Sequence, residues 1–268
     1  MGSLIHPTAV IDPRAELADG VEVGPYAVIG PQVQIGPDCR IGAHAVLDGR
    51  VRMGRGNRIF PGACIGLEPQ DLKYAGAPTG VEIGDDNTIR ECVTINRATD
   101  GEACTCIGSG NLLMAYSHLG HNCALGDRIV IANGVAVAGH VVIGDRAVIG
   151  GVLGIHQFVH VGTLAMVGGM SRIERDVPPF CMVEGHPARV RALNRIGLQR
   201  SGLAEQAGGL HLQDLRRAWT LIYRRGHTLA AALQMLRAEP LTPAAATLVS
   251  FLEDSQAPSR RGPISGAR

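Results

Sequence analysis

The sequence predicts a parallel β-helix followed by a small α-helical domain, and three observations lead to this prediction. Aliphatic residues recur at every sixth position along most of the chain. Glycine is unusually frequent, at 36 of 268 residues, where about 7% is ordinary. Aromatic residues make up only 3% of the chain, although ordinary cores obtain much of their buried area from aromatic side chains. A standard two-layer globular domain is therefore excluded for most of the chain.

The repeat runs in three series, from Ile5 to Ile65, from Ile83 to Ile95 and from Ile107 to Ile173, and every sixth residue in them is aliphatic. A period of six is typical of β-helices built from hexapeptides, in which three short strands form one 18-residue triangular coil. The aliphatic residue is expected to point inward, into a prism too narrow for many rings. Glycines often follow it, and we expect them to supply unusual torsions at the corners.

The repeat is interrupted twice, and each interruption predicts a loop. The first insertion contains Pro69–Gly76 and holds Lys73, the only lysine of the chain. The second lies around Thr99–Ala103. Loops that leave a rigid scaffold are where functional residues tend to lie.

The repeat ends near Ile173 and the composition changes from about Ala188, which indicates two domains, 1–187 and 188–268. Helical spacing of apolar residues predicts helices over Leu212–Arg225, Leu229–Arg237 and Ala244–Glu253. A flexible tail is expected after about Gln256.

Charge and targeting signals restrict the function classes. The net charge of +1 does not favour nucleic acid as a partner. The opening MGSLIHPTAV does not resemble a secretory leader, and the longest apolar runs are too short to span a membrane. The seven cysteines are scattered and predict reduced thiols used in packing, hence a cytoplasmic protein.

Histidines in the later coils form the candidate site. Residues 119, 137 and 155 are 18 apart, so they stack on one face of the prism. His121, Gly139 and Gln157 each follow by two places and should form a column with a step of about 5 Å. Flanking positions on this column are occupied by three further histidines, His118, His140 and His156. By the same count, Ile65 lies two coils below on this face, so the first insertion leaves from the edge that carries the column.

The column suits acid–base chemistry better than metal binding. A zinc site needs three or four ligands that converge on one ion, whereas this column is spread over three coils, so no metal is expected. His121 could act as a general base that deprotonates an attacking hydroxyl or amine. The backbone N–H of Gly139, one coil above, could stabilise the oxyanion that develops. The residues thus predict direct acyl transfer without a covalent enzyme intermediate.

Several motifs resemble those of the UDP-N-acetylglucosamine O-acyltransferases, over nearly the whole chain. The most specific is the loop Gln-Asp-Leu-Lys-Tyr-Ala-Gly at 70–76. The others are Asn-Leu-Leu-Met at 111–114, His-Leu-Gly-His at 118–121, Val-Ala-Gly-His at 137–140, His-Gln-Phe at 156–158, Met-Val-Gly-Gly at 166–169 and Asp-Val-Pro-Pro at 176–179.

The resemblance implies a homotrimer of left-handed β-helices with active sites between subunits. It implies transfer of an R-3-hydroxyacyl group from acyl carrier protein to the 3-hydroxyl of UDP-GlcNAc, the first step of lipid A and lipopolysaccharide synthesis. No cofactor is implied, because phosphopantetheine arrives on the carrier protein. His121 matches the general base and Gly139 the oxyanion donor.

Other positions match substrate contacts or the residues that limit acyl-chain length. The substrate-binding matches are Gln70, Asp71, Lys73, His118, His140, His156, Gln157, Asn194 and Arg200, the last two being contacts to nucleotide phosphates. Gly169 and Met170 match the positions that determine acyl-chain length. Two departures stand near the site: Asn122 where an aspartate is common, and Asn96 where a histidine is expected.

Alternatives remain at this stage. The chain could be a related N-acyltransferase or a CoA-dependent acetyltransferase, although the loop at 70–76 argues against both. It could also be a non-catalytic β-helix that binds an ion. Acyl-chain length, and a 3-hydroxyl against a 3-amino acceptor, stay open. Arginines crowd the helical domain, either as a solvated surface or as a docking site for the acidic carrier protein.

Overall fold

The computed structural model describes residues 4–267 and confirms the prism of short strands. In chain order the strands are β1 Leu4–Ile5, β2 Val10–Ile11, β3 Glu16–Leu17, β4 Glu22–Val23, β5 Val28–Ile29, β6 Val33–Ile35, β7 Arg40–Ile41, β8 Val46–Leu47, β9 Arg50–Met53, β10 Arg58–Ile59, β11 Cys64–Leu67, β12 Gly80–Ile83, β13 Thr88–Ile89, β14 Thr94–Asn96, β15 Cys104–Ile107, β16 Leu112–Leu113, β17 His118–Leu119, β18 Ala124–Leu125, β19 Val130–Ile131, β20 Ala136–Val137, β21 Val142–Ile143, β22 Val148–Ile149, β23 Gly154–Ile155, β24 His160–Val161, β25 Met166–Val167, β26 Arg172–Ile173, β27 Cys181–Gly185 and β28 Ala188–Leu193. The helices are α1 Arg195–Arg200, α2 Leu210–Tyr223, α3 Leu229–Arg237 and α4 Pro243–Asp254, with a 3₁₀ turn at Gln206–Gly209.

Every third strand pairs in parallel, so the coils build three sheets around one core. The first sheet runs from β1 through β25 to β27 and β28, the second from β2 to β26, and the third from β3 to β24. Where no loop intervenes, the pairing register is 18 residues, as in Leu119 with Val137 and Val137 with Ile155. The coils form a left-handed β-helix, as expected.

The prism interior is mainly a stack of aliphatic side chains. Leu47, Ile65, Ile95 and Leu119 stand above one another in the second sheet and are fully buried. Burial of one such side chain contributes about 1.5–3 kcal/mol. The narrow interior therefore accounts for the low aromatic content.

The glycines that directly follow the aliphatic positions are needed for close stacking rather than for unusual torsions, so the torsions expected of these glycines were wrong. Gly42, for example, does not adopt a left-handed conformation, but a Cβ on it would lie 2.8 Å from the Ile59 carbonyl oxygen of the next coil. Left-handed torsions lie two residues further along the corner, on some glycines such as Gly56 and Gly62 and on other residue types, among them Asn122, His140 and Phe158 beside the candidate site. Successive coils approach so closely that a methyl group does not fit at Gly42.

A ladder of buried asparagines stabilises one corner and was not anticipated from the sequence. The Asn87 backbone N–H and side-chain amide both donate to Asn57 Oδ1, at 2.9 and 3.0 Å. The Asn111 N–H donates to Asn87 Oδ1 at 2.9 Å. Because all three side chains are buried, these bonds satisfy backbone groups that water cannot reach.

The helical domain follows the sequence prediction closely. Helix α3 has the predicted bounds, α2 begins and ends two residues earlier, and α4 is one residue longer at each end. Thr228 and Thr242 cap α3 and α4 through their side chains, as N-cap threonines commonly do. The short α1 and the 3₁₀ turn were not predicted.

The boundary expected at 187/188 falls in the turn between β27 and β28, which pair antiparallel. Strand β27 also extends the first sheet, pairing in parallel with β25. The tail after Gln256, which was expected to be flexible, packs against the prism in this structure. The Ile264 N–H donates to the Asp176 carbonyl at 2.8 Å, and the Val190 N–H donates to Ser265 at 3.0 Å. Ile264 is buried, so the tail contributes to the core.

Three cysteines, Cys39, Cys123 and Cys181, are buried free thiols, as expected of packing residues. Burial raises the pKa of the Cys123 thiol to about 12. Cys92 and Cys106 are exposed instead. No helix within residues 4–267 has the length and apolar character needed to cross a bilayer.

The asparagine ladder gives a test of stability. We expect Asn87→Ala to lower the free energy of unfolding by about 1–3 kcal/mol, because it leaves the Asn111 N–H buried without its acceptor. The control is Asn133→Ala, at an exposed position, which should change stability by less than about 0.5 kcal/mol. Thermal and urea unfolding followed by circular dichroism measures both, and equal stability of the two variants would contradict the role of the ladder.

Candidate active site

The predicted column is present at the corner between the second and third sheets. The register of β17, β20 and β23 places His121, Gly139 and Gln157 on successive coils. A Cβ built on Gly139 would lie 2.5 Å from His121 Nε2 and Cε1. The imidazole thus occupies the space that a side chain at position 139 would fill, and it rests directly on the Gly139 backbone.

His121 is 6% exposed, and two neighbours hold its Nδ1 atom. Asn122 Oδ1 lies 3.0 Å and Thr99 Oγ1 3.2 Å from Nδ1. Asn122 Oδ1 also accepts from the Thr99 backbone N–H at 3.1 Å and from the Thr99 hydroxyl at 2.7 Å. A backbone N–H can only donate, so this oxygen is an acceptor, and Nδ1 carries the proton. The lone pair therefore resides on Nε2.

The role of Thr99 was not recognised from the sequence, although its insertion was singled out. The second insertion brings Thr99 back over the column, where it completes the contacts to Nδ1. Asn122 has a φ of 58°, a conformation that asparagine adopts more readily than most residues. Its N–H is satisfied by Thr105 Oγ1 at 2.9 Å.

The first insertion covers the Nε2 side of His121. This agrees with the prediction that the insertion leaves from the edge of the prism that carries the column. Asp71 Oδ2 lies 3.8 Å from His121 Nε2. Asp71 Oδ1 accepts from the Lys73 N–H, while Lys73 itself is exposed. Gln70 lines the same cleft.

Arg97 anchors this insertion and was also missed from the sequence. It donates to the Gly66 carbonyl at 2.9 Å and to the Tyr74 hydroxyl at 2.9 Å, and it pairs with Glu68 at 3.3 Å. Asn96 adds a hydrogen bond to the Glu68 carbonyl at 2.6 Å. These contacts fix both ends of the loop that carries Asp71.

A cleft of about 470 Å³ opens beside His121. Of the predicted residues, it is lined by Gln70, His118, His121, Gly139, His156 and Gln157. The Gly139 N–H has no hydrogen-bond acceptor within residues 4–267. The cleft therefore offers one unprotonated imidazole nitrogen and one free backbone donor, the two groups that acyl transfer requires.

Two neighbouring histidines are neutral at pH 7. Burial, and to a smaller extent the charge of His121, lower the pKa of both His118 and His140. His118 Nδ1 is hydrogen-bonded to Thr94 Oγ1 at 2.7 Å. The His140 ring makes an edge contact with His121 and stacks on Phe158. Both provide hydrogen-bonding and packing surfaces without competing charge.

The remaining predicted residues lie elsewhere on the chain. Asn194 and Arg200 line a second cavity, of about 630 Å³, over the outer face of the first sheet. The Asn194 side chain caps α1 and donates to the Leu164 carbonyl at 2.8 Å. Gly169 and Met170 lie at the corner between the first and second sheets, and Met170 is 80% exposed. Within residues 4–267, no group of three or more His, Cys, Asp and Glu side chains could hold a metal ion.

Family models and curated relatives match most of this chain. The second domain of the family described as UDP-N-acetylglucosamine O-acyltransferase matches residues 176–264, and the bacterial transferase hexapeptide family matches residues 14–49. A relative from Gloeothece citriformis, named acyl-(acyl-carrier-protein)–UDP-N-acetylglucosamine O-acyltransferase, is 56% identical over 263 residues, covering 98% of this chain and 94% of the relative. The chain belongs to the UDP-N-acetylglucosamine O-acyltransferase family.

Solved structures of this family superpose closely on the chain. The LpxA of Acinetobacter baumannii matches with a TM-score of 0.90 and 43% identity, over 97% of this chain and 99% of that one. The UDP-N-acetylglucosamine acyltransferase of Campylobacter jejuni matches with a TM-score of 0.89 and 34% identity, over 98% and 100% of the two chains. The family resemblance drawn from the loop at 70–76 and the histidine motifs is thereby confirmed.

The contacts of Nδ1 predict a change in pH dependence for a family member with this site. Asn122→Asp would place a carboxylate about 3.0 Å from His121 Nδ1, stabilising the imidazolium form. We expect the acidic limb of the kcat/KM profile for acyl transfer to move to higher pH. A profile that is unchanged would contradict the assigned contact.

The matched pair Thr99→Val and Thr99→Ser tests the second contact. Valine removes the hydroxyl that contacts both Asn122 and Nδ1, and we expect kcat/KM to fall about 10-fold or more, in the range of one lost hydrogen bond to a charged group. Serine keeps the hydroxyl and should retain most of the rate. An equal fall in kcat/KM in both variants would show that Thr99 acts through packing rather than through its hydrogen bonds.

Proposed function

We propose that the chain transfers an R-3-hydroxyacyl group from acyl carrier protein to the 3-hydroxyl of UDP-GlcNAc, the first step of lipid A biosynthesis. The observation that carries this function is His121, whose Nδ1 is held by Asn122 and Thr99 while Nε2 faces an open cleft. The relatives' names support it, because they specify an acyl group on acyl carrier protein as donor and UDP-N-acetylglucosamine as acceptor. The chain is accordingly an O-acyltransferase.

The proposed step begins with His121 Nε2 removing the proton from the sugar 3-hydroxyl. The oxygen attacks the thioester carbonyl carbon, and the Gly139 N–H donates to the oxyanion that forms. The C–S bond then breaks, and the His121 imidazolium returns its proton to the departing phosphopantetheine sulfur. The products are the sugar ester and the free thiol of the carrier protein, so His121 ends in its starting state.

Asp71 has two roles that follow from its position. Its carboxylate lies 3.8 Å from Nε2, so it stabilises the imidazolium that forms in the transition state. Before reaction, Asp71 and Nε2 are two acceptors side by side, an arrangement complementary to two neighbouring sugar hydroxyls. Gln70, His118 and Gln157 supply further hydrogen bonds around the acceptor.

We propose a homotrimer with each active site between two subunits. The His121 cleft lies on the second sheet, whereas the Arg200 cavity lies on the first. A substrate that contacts both the His121 cleft and the Arg200 cavity therefore needs two copies of the chain. Tyr116, Val152 and Met170 are 70%, 68% and 80% exposed at one corner of the prism, and such an apolar edge favours burial against another copy. Light scattering coupled to size-exclusion chromatography tests the trimer.

Charge on the helical domain supports docking of the acidic carrier protein. Ion pairs occupy Arg191 and Arg217, whereas Arg195, Arg216 and Arg225 have no carboxylate within 4 Å among residues 4–267. No cofactor of the chain's own is needed, because the carrier protein brings the phosphopantetheine. The free thiols support a cytoplasmic location.

The function is tested by incubating the protein with UDP-GlcNAc and 3-hydroxyacyl carrier proteins of several chain lengths. We expect the ester product with at least one donor, and a fall in rate of about 10²–10⁴ in His121→Ala, the range of one general base. The series also measures the preferred chain length, which Gly169 and Met170 are proposed to determine. Unchanged sugar nucleotide across all donors would contradict the proposed function, and a near-normal rate in His121→Ala would contradict the base.

A further inference from the structure

The C-terminal strap, residues 256–267, is held to the end of the prism by a buried carboxylate. Asp176 is 1% exposed. Its carboxylate accepts from the His160 N–H at 2.8 Å, from the Ser255 hydroxyl at 2.5 Å and from Arg260 Nη2 at 2.7 Å. Because Arg260 neutralises a buried charge here, the strap has one strongly preferred position on the prism.

Backbone hydrogen bonds determine which strap residue reaches the active-site cleft. The Asp176 N–H donates to the Gly262 carbonyl at 3.1 Å, and the Ile264 N–H donates to the Asp176 carbonyl at 2.8 Å. Arg175 Nη1 donates to the Arg261 carbonyl at 2.7 Å. Arg261 is thus held from both sides, by the ion pair of Arg260 with Asp176 before it and by the backbone hydrogen bond of Gly262 after it.

The Arg261 guanidinium lies at the His156 end of the cleft. Its Nη2 is 3.4 Å from His156 Nε2. His156 Nδ1 lies 3.2 Å from the Gln157 carbonyl oxygen, which only accepts, so Nδ1 carries a proton and Nε2 accepts from Arg261. His156 and Gln157 both line the His121 cleft, which connects the strap to the site.

The charge of Arg261 is not compensated by any carboxylate within 4 Å among residues 4–267. Arg172, which lines the same cleft, is paired with Glu174 at 2.6 Å. Arg261 is therefore a cation at this end of the cleft that can still take an anion. Its exposed planar group carries further N–H donors in the arrangement that binds phosphate oxygens in pairs.

We propose that Arg261 binds a phosphate group of a substrate in the His121 cleft. The inference rests on the proposed function, in which both substrates carry phosphate: the diphosphate of the sugar nucleotide and the phosphodiester of the carrier protein's phosphopantetheine. The strap is then part of the active site, and Asp176 and Arg260 act on catalysis only by positioning Arg261.

The test compares Arg261→Ala, Arg261→Lys and wild type in steady-state kinetics with each substrate varied in turn. We expect Arg261→Ala to raise KM for one phosphate-bearing substrate about 10- to 100-fold, the range of a hydrogen bond between charged groups. We expect kcat to change much less. Lysine keeps the charge but not the paired donors, so the KM of Arg261→Lys should lie between those of wild type and Arg261→Ala.

Substrate fragments distinguish the two sources of phosphate. If the sugar nucleotide is the ligand, Arg261→Ala weakens inhibition by UDP but not by uridine. If the carrier is the ligand, the variant loses the preference of wild type for acyl-phosphopantetheine over acyl-pantetheine. Either result supports the proposal and identifies the phosphate.

Stability separates binding from a structural role. Arg261 is exposed, so Arg261→Ala should keep the wild-type Tm, whereas Arg260→Ala should lower it by leaving Asp176 unpaired. Arg14→Ala, remote from the cleft and paired only with Asp12, should leave Tm and both KM values unchanged. Unchanged KM values for Arg261→Ala in an active enzyme would overturn the inference alone. A wild type inactive towards all donors would overturn the proposed function and the inference with it.

Discussion

The spacing between stacked coils is the constraint on which the rest of this structure depends. Backbone hydrogen bonds hold each coil against the next, and the approach is too close for a methyl group at positions such as Gly42. This spacing sets the 18-residue register that places His121 beneath Gly139. The stacking of His121 on Gly139 is therefore a product of the same packing that closes the prism, while Thr99 of the second insertion completes the contacts to Nδ1.

Segments outside the repeat complete the site, and each is fixed by one buried or half-buried arginine. Arg97 holds the loop that brings Asp71 to His121. Arg260 holds the strap that brings Arg261 to His156. In both cases a charged side chain in a constrained position orders a segment without repeats of its own. The rigid prism thus supplies His121, while the anchored segments bring Asp71 and Arg261 to the cleft.

The electrostatics of the cleft keep one histidine distinct from the others. Burial lowers the pKa of His118 and His140, so they contribute no positive charge next to His121 at pH 7. His121 instead has acceptors at both nitrogens: Asn122 at Nδ1 and Asp71 beyond Nε2. An amide at position 122 orients the ring without adding a second carboxylate.

The amino-acid sequence alone determined the prism, the column of His121, Gly139 and Gln157 and the edge from which the first insertion leaves, because a fixed period of six converts sequence position directly into spatial position. It also predicted most of the helical bounds from apolar spacing. Only the tertiary structure decided the tautomer of His121, the asparagine ladder, the docking of the strap and the separation of Asn194 and Arg200 from the His121 cleft. Those features depend on contacts between residues far apart in the chain, such as Asp176 and Arg260. No local period encodes such contacts, since they depend on how irregular segments fold back onto the prism.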